Sequence, residues 1–91
     1  MSKIDLKSVK ILPWSGKEED WKMWSTKFKM RARAHGYYGV LVSKQVDLTD
    51  QDMKKKNDEG YMDLIMSISD HKSFNAVIQY EDDLRQAWIA L

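Results

Sequence analysis

The chain has no cysteine among its 91 residues. That absence excludes disulfides, thiolate metal sites and a thiol nucleophile, and it suits a reducing compartment. Proline is nearly absent as well, since Pro13 is the only one. Charge of one sign is missing: 15 Lys and Arg stand against 14 Asp and Glu, a net charge of +1. No global field therefore draws the protein to nucleic acid or to a membrane, and any such contact must come from a local patch. The longest apolar run, residues 37–42, falls far short of the ~20 residues that a membrane-spanning helix needs. The N-terminus carries no signal-peptide apolar block. These absences lead us to expect a cytoplasmic protein that does not cross a membrane.

Imidazoles are scarce too. His35 and His71 are the only two, and zinc asks for three or four ligands in defined spacing. No metal, cofactor or small-molecule substrate is expected. Ser69-Asp70-His71 holds the residue types of a catalytic triad, but adjacent residues on a turn do not converge as nucleophile, base and orienter. Helix capping explains Ser69 and Asp70 better. The acidic runs Glu18-Glu19-Asp20 and Glu81-Asp82-Asp83 stand at expected helix starts, where dipole compensation accounts for them. There is no glycine-rich phosphate loop. The chain is read as not an enzyme.

What is present is a set of large side chains. Apolar residues make up 43% of the chain, with four Trp and six Met among them. That is enough for one modest core, and a few bulky residues must dominate it. Residues 1–16 read as an extended arm: Val9, Ile11 and Leu12 favour extended structure, Pro13 ends it and Ser15-Gly16 signals a turn. Residues 17–91 read as helical. A first helix is expected from near Lys17 to about His35, with acids in its first turn and Lys27, Lys29, Arg31 and Arg33 toward its C-terminal half. Trp21, Trp24, Phe28 and Ala32 recur at helical spacing and mark its core face, and Gly36 is a suitable stop.

Residues 37–43 form a short helix or a turn. A second long helix is expected from about Asp50 to Ser67. Thr49 is its expected N-cap, Met53, Tyr61, Leu64, Ile65 and Ile68 its buried side, and Gly60 a place where it could kink. Ser69 or Asp70 caps a third helix in which Phe74, Val77 and Ile78 share a face. Asp82 and Asp83 open a last one, with Leu84, Ala87, Trp88 and Leu91 on one stripe. Leu91 is an apolar position with no capping residue after it, so the natural protein is expected to continue. No strand hairpin is visible. The reading is an all-α fold, a small bundle of four to five helices behind an extended arm.

Three groups of residues carry the functional question. Trp21, Trp24, Phe28, Leu64, Ile68, Trp88 and Leu91 are expected in the core. Ile11, Leu12 and Trp14 lie in the arm, outside any helical periodicity; Trp14 either packs back as a lid or anchors the arm to another chain, and all three are partner-binding candidates. Lys27, Lys29, Arg31 and Arg33 are RNA-contact candidates. At about 100° per residue they spread around the helix, so a solvated face is the simpler reading.

The order of certain segments resembles a known family. Leu12-Pro13-Trp14-Ser15-Gly16, followed by Trp21-Lys22-Met23-Trp24, Lys27-Phe28 and Met30, resembles the opening of Gag proteins of copia-type LTR retrotransposons. Gly36-Tyr37-Tyr38-Gly39-Val40-Leu41, Ile65-Met66-Ser67-Ile68-Ser69-Asp70 and Ala87-Trp88-Ile89-Ala90-Leu91 resemble later pieces in the family's order. Trp14 stands where phenylalanine is commoner, and the nucleocapsid zinc knuckle that usually binds RNA has no counterpart here. The resemblance implies the N-terminal lobe of a capsid-like region: a structural domain that self-associates into virus-like particles packaging the element's RNA. Its implied partners are further Gag copies, with RNA held mainly by regions outside this sequence. The alternative is a Gag-derived, domesticated module whose helical groove binds a peptide or protein. An RNA-binding domain is a weaker third reading.

Overall fold

The computed structural model describes residues 13–43 and 46–91. Among them are five α-helices: α1 (Trp21–His35), α2 (Tyr38–Val42), α3 (Gln51–Met66), α4 (His71–Ile78) and α5 (Leu84–Ala90). A single 3-10 turn, Glu18–Asp20, leads into α1. No strand occurs among the described residues, only an isolated bridge between Trp14 and Ile68. The all-α bundle expected from the hydrophobic spacing is the fold. Of the expected arm, residues 13–16 are described; Ile11 and Leu12 lie outside the described residues.

Helix ends follow local chemistry. Glu18, Glu19 and Asp20 fill the turn before α1, while Arg33 lies in its last turn, each sign facing the helix pole that it stabilises. Gly36 stops α1 at φ +88° and returns its N–H to the Ala32 and Arg33 carbonyls. The cap of α3 differs from expectation. Asp50, not Thr49, receives the Asp52 and Met53 N–H groups, at 2.9 and 3.2 Å, while the Thr49 N–H turns back to Asp47. A carboxylate also compensates the helix dipole, which a hydroxyl does not. Asp70 and Asp83 cap α4 and α5 in the same way.

The core gathers one row of side chains from each helix. Trp24, Phe28 and Ala32 of α1 meet Tyr37, Val40 and Leu41, with Leu64, Val77, Leu84, Ala87 and Trp88 from the later helices. Trp21, Ile68 and Leu91 are partly buried at its margin. Burying each large apolar side chain stabilises the fold by roughly 1.5–3 kcal/mol. Along α4, Val77 is fully buried, while Phe74 and Ile78 on the same side are 36% and 43% exposed. A short helix packed at the edge of the bundle turns a single row inward, so neighbours of that row stay at its rim.

Gly60 does not kink α3, which runs unbroken through it. It is a notch. A Cβ there would meet the Leu84 side chain and lie 2.7 Å from Tyr37 Cδ1. One turn earlier, the buried Asn57 side chain fixes the link between α4 and α5. Its Nδ2 donates to the Asp82 carbonyl at 2.7 Å, and its Oδ1 accepts the Leu84 N–H at 2.9 Å. Asp82 holds a left-handed φ of +62°, a conformation that Asp tolerates better than most residues. Arg85 Nη1 donates to the Leu41 carbonyl and ties α5 to the end of α2.

The close approach at residue 60 reverses the usual helix propensity. Gly60→Ala in an exposed helix would stabilise by about 1 kcal/mol; here overpacking against Leu84 and Tyr37 should destabilise by about 1–3 kcal/mol. Urea unfolding of the variant measures the sign directly.

Candidate functional site

The four tryptophans, scattered from position 14 to position 88, converge on one cluster. Trp14 meets Trp21 edge-on, with ring centroids 5.2 Å apart and planes at 75°. It lies 5.3 Å from Trp24. Trp21 reaches Trp88 at 5.3 Å, and Phe28 stacks on Trp24 and Trp88 at 5.2 and 5.3 Å. These separations fall in the range where aromatic pairs gain about 0.5–1.5 kcal/mol beyond their burial.

Trp14 is held there by both its backbone and its ring. Its N–H donates to the Ser67 carbonyl at 2.6 Å, and its carbonyl accepts from the Ser69 N–H at 3.3 Å and the Ser69 hydroxyl at 3.1 Å. The indole Nε1–H donates to Ser73 Oγ at 3.0 Å. The Ser73 hydroxyl and N–H both pass on to the Asp70 carboxylate, each at 2.8 Å. A buried indole N–H needs such a partner, and here the chain of donors ends on a charge. Gly16 permits the approach. Its φ is +80°, and a Cβ there would stand 2.7 Å from Asp70 Cγ. Ser15 closes the turn by donating to Asp20 at 2.9 Å.

Trp14 is therefore the lid of the bundle. At 4% exposure it has no face left to anchor another chain, so its candidacy as a partner contact is withdrawn. Beside the cluster lies an open groove of about 610 Å³, lined by Trp14, Trp21, Arg85, Trp88, Ile89 and Leu91 among others.

The basic stretch is divided by the fold. Arg31 turns inward: its Nε lies 2.7 Å from Asp63 Oδ2, and the Tyr37 hydroxyl donates to the same oxygen. The hydrogen bond to Asp63 raises the Arg31 pKa against the cost of burial, so the cation is committed to this pair. Burial, then the Asp63 contact, raises the Tyr37 pKa far above the usual phenol range, so its hydroxyl stays a donor. Arg31 thus leaves the RNA-contact set. Lys27 is exposed and Lys29 half-buried, while the Arg33 guanidinium sits 4.3 Å above the centre of the Tyr38 ring.

The remaining polar candidates are accounted for locally. Ser69 holds Trp14 and Asp70 caps α4, so the triad-like residues serve helix and arm. His35 lies beside Tyr37 with its Nε2 buried and without a hydrogen bond among the described residues. Among the described residues no group of three His, Asp or Glu is placed to hold a metal ion, and no helix is long and apolar enough to cross a membrane. Comparison of the chain with protein-family models, curated proteins and solved structures finds no match.

Sequence reasoning overlooked Ser73, Asp63 and Asn57. Ser73 and Asp63 are polar residues of ordinary helix surfaces, with no local signal to set them apart. Asn57 had one: counted by helical spacing it lies on the same face as Gly60, Tyr61 and Leu64, where a polar residue needs a buried partner.

Two outcomes follow for the arm. Trp14→Ala should cost about 3–5 kcal/mol and Ser73→Ala about 1 kcal/mol. Because the two share one hydrogen bond, the double variant should cost less than the sum of the singles in urea unfolding. The Asp70 pKa lies below its ordinary value of 3.8, first through the Ser73 N–H and then through the Ser73 hydroxyl. A depressed carboxylate contributes stability above its unfolded pKa and loses it as pH falls through the lower folded value. Asp70→Asn should therefore flatten the acid limb of a melting-temperature profile below about pH 4, and an unchanged limb would refute the assignment.

Proposed function

We propose that this chain is a structural assembly domain, the N-terminal capsid-like lobe of a copia-type Gag, and that identical copies associate through their outer helix faces into virus-like particles around RNA. The supporting observation is the distribution of apolar side chains. The aromatic cluster is closed by Trp14, yet Met23, Met62, Met66 and Ile89 remain 57% or more exposed on three different helices. Exposed apolar side chains of this size are available for burial against a second chain. Weak contacts of this kind gain effective strength when many are linked in a symmetric shell. In this reading the chain's own residues do no covalent chemistry; Trp14, Trp21, Trp24, Phe28 and Trp88 keep the block rigid, and the surfaces do the work.

The groove favours a second reading. Its lining of Trp21, Trp88, Ile89 and Leu91 offers aromatic and aliphatic surface to an amphipathic segment, as a domesticated, peptide- or protein-binding Gag module would. RNA binding through the exposed cations of α1 is the third.

Sedimentation velocity separates them. Assembly predicts that the weight-average sedimentation coefficient rises with concentration and rises further with RNA. A monomer at about 1 mM, a concentration that reveals even weak contacts, with and without RNA, ends the proposal. Steep loss of RNA binding with salt, without self-association, would move the function to the third reading.

A further inference from the structure

We infer that the outer face of α1 is a docking site for a second copy of this chain, which presents the acidic joint between its α4 and α5, so that copies join head to tail. The inference rests on the assembly reading above and names its surfaces.

The α1 face is built from residues that the core does not use. Met23 and Met30 stand seven residues apart, on the side of the helix away from Trp24, Phe28 and Ala32, and are 58% and 45% exposed. Lys22, Lys27 and Arg33, all exposed, flank them, and the half-buried Lys29 lies further round toward the core side. Helix α1 contains no acid, and its remaining arginine, Arg31, is taken by Asp63. The ion pairs among the described residues are Arg31–Asp63 and Lys56–Asp52, so these four cations have no carboxylate partner there. The Arg33 guanidinium lies over the Tyr38 ring.

The acidic joint has the complementary composition. Glu81 and Asp82 are exposed, and so is Asp58, beside Asn57 on α3. Asn57 Nδ2 donates to the Asp82 backbone carbonyl and lies 3.4 Å from an Asp58 oxygen, which places the Asp58 carboxylate beside the backbone of the joint. Ile78 and Tyr80 beside Glu81 and Asp82 are 43% and 41% exposed. None of these acids is in an ion pair among the described residues.

Charge decides the geometry. A face that met its own copy would set like charges together, while the two faces attract each other. The contact is then heterologous, and repetition of a heterologous contact yields rings or open filaments. The methionines, Ile78 and Tyr80 supply apolar burial, and the charges supply register. A net charge of +1 adds no general repulsion between copies.

The test uses two charge-reversal variants of the full chain: Lys22→Glu with Lys27→Glu, and Asp58→Lys with Glu81→Lys. All four positions are exposed, and thermal melting checks that each variant folds; where one does not, the corresponding Gln or Asn variants replace it. Each variant alone should associate at least about tenfold more weakly than the original chain, and an equimolar mixture should recover association, since each unreversed face meets its original partner and the two reversed faces are again opposite in charge. Association of the original chain should weaken between about 50 mM and 500 mM salt. If either variant associates as the original does, or the mixture stays monomeric, the head-to-tail contact is wrong while the assembly reading stands. An original chain that never associates removes both. If the α1 variant loses binding to a single-stranded RNA oligonucleotide but associates normally, the face belongs to RNA and the inference is overturned.

Discussion

The docking of Trp14 is the contact on which the rest of this structure depends. Residues 13–16 are joined to residues 67–73 by two backbone hydrogen bonds and by hydrogen bonds through the side chains of Ser69 and Ser73. The same event seats an indole against Trp21 and Trp24. One residue thus closes the polar junction between α3 and α4 and completes the aromatic core. Without it, the Ser73 hydroxyl and the Ser67 carbonyl would each lose a partner in a partly buried place, where an unmade hydrogen bond costs about 1–3 kcal/mol.

Around that lid the bundle is secured by a few polar side chains at positions where apolar packing alone does not set the register. Asp63 receives Arg31 and the Tyr37 hydroxyl, joining α3 to α1 and to the start of α2. Asn57 holds both ends of the α4–α5 link. Gly60 lets Leu84 and Tyr37 approach the α3 backbone between these two anchors. Directional bonds and a steric notch select one alignment of helices, which a uniform apolar surface does not. The rigid block that results leaves the outer helix faces free, and the proposed assembly is assigned to those faces.

Much of this was legible along the chain. The stripe Trp21, Trp24, Phe28 and Ala32, the stop at Gly36, and the stripe Leu84, Ala87, Trp88 and Leu91 are local periodic signals, and the helices follow them. The acidic runs located the starts of α1 and α5, while at α3 the choice between Thr49 and Asp50 turned on which side chain met the free N–H groups in space. Other features were not legible. Arg31 and Arg33 are two residues apart in one basic run, yet one is bound to Asp63 and the other lies over Tyr38. Nothing local to either residue encodes a partner 32 positions away.

The sequence by itself determined the helices and their inward faces, because hydrophobic spacing, capping residues and glycine stops act within a few residues of each other. Its absences also ruled out cysteine chemistry and a long apolar span. Only the tertiary structure decided that Trp14 faces inward, that Gly60 is a contact rather than a kink, and that the basic run splits into one committed arginine and an open, methionine-centred face. Each of those outcomes is a meeting between segments distant in the chain, and such meetings are set by which surfaces can be buried together, a property of the folded whole.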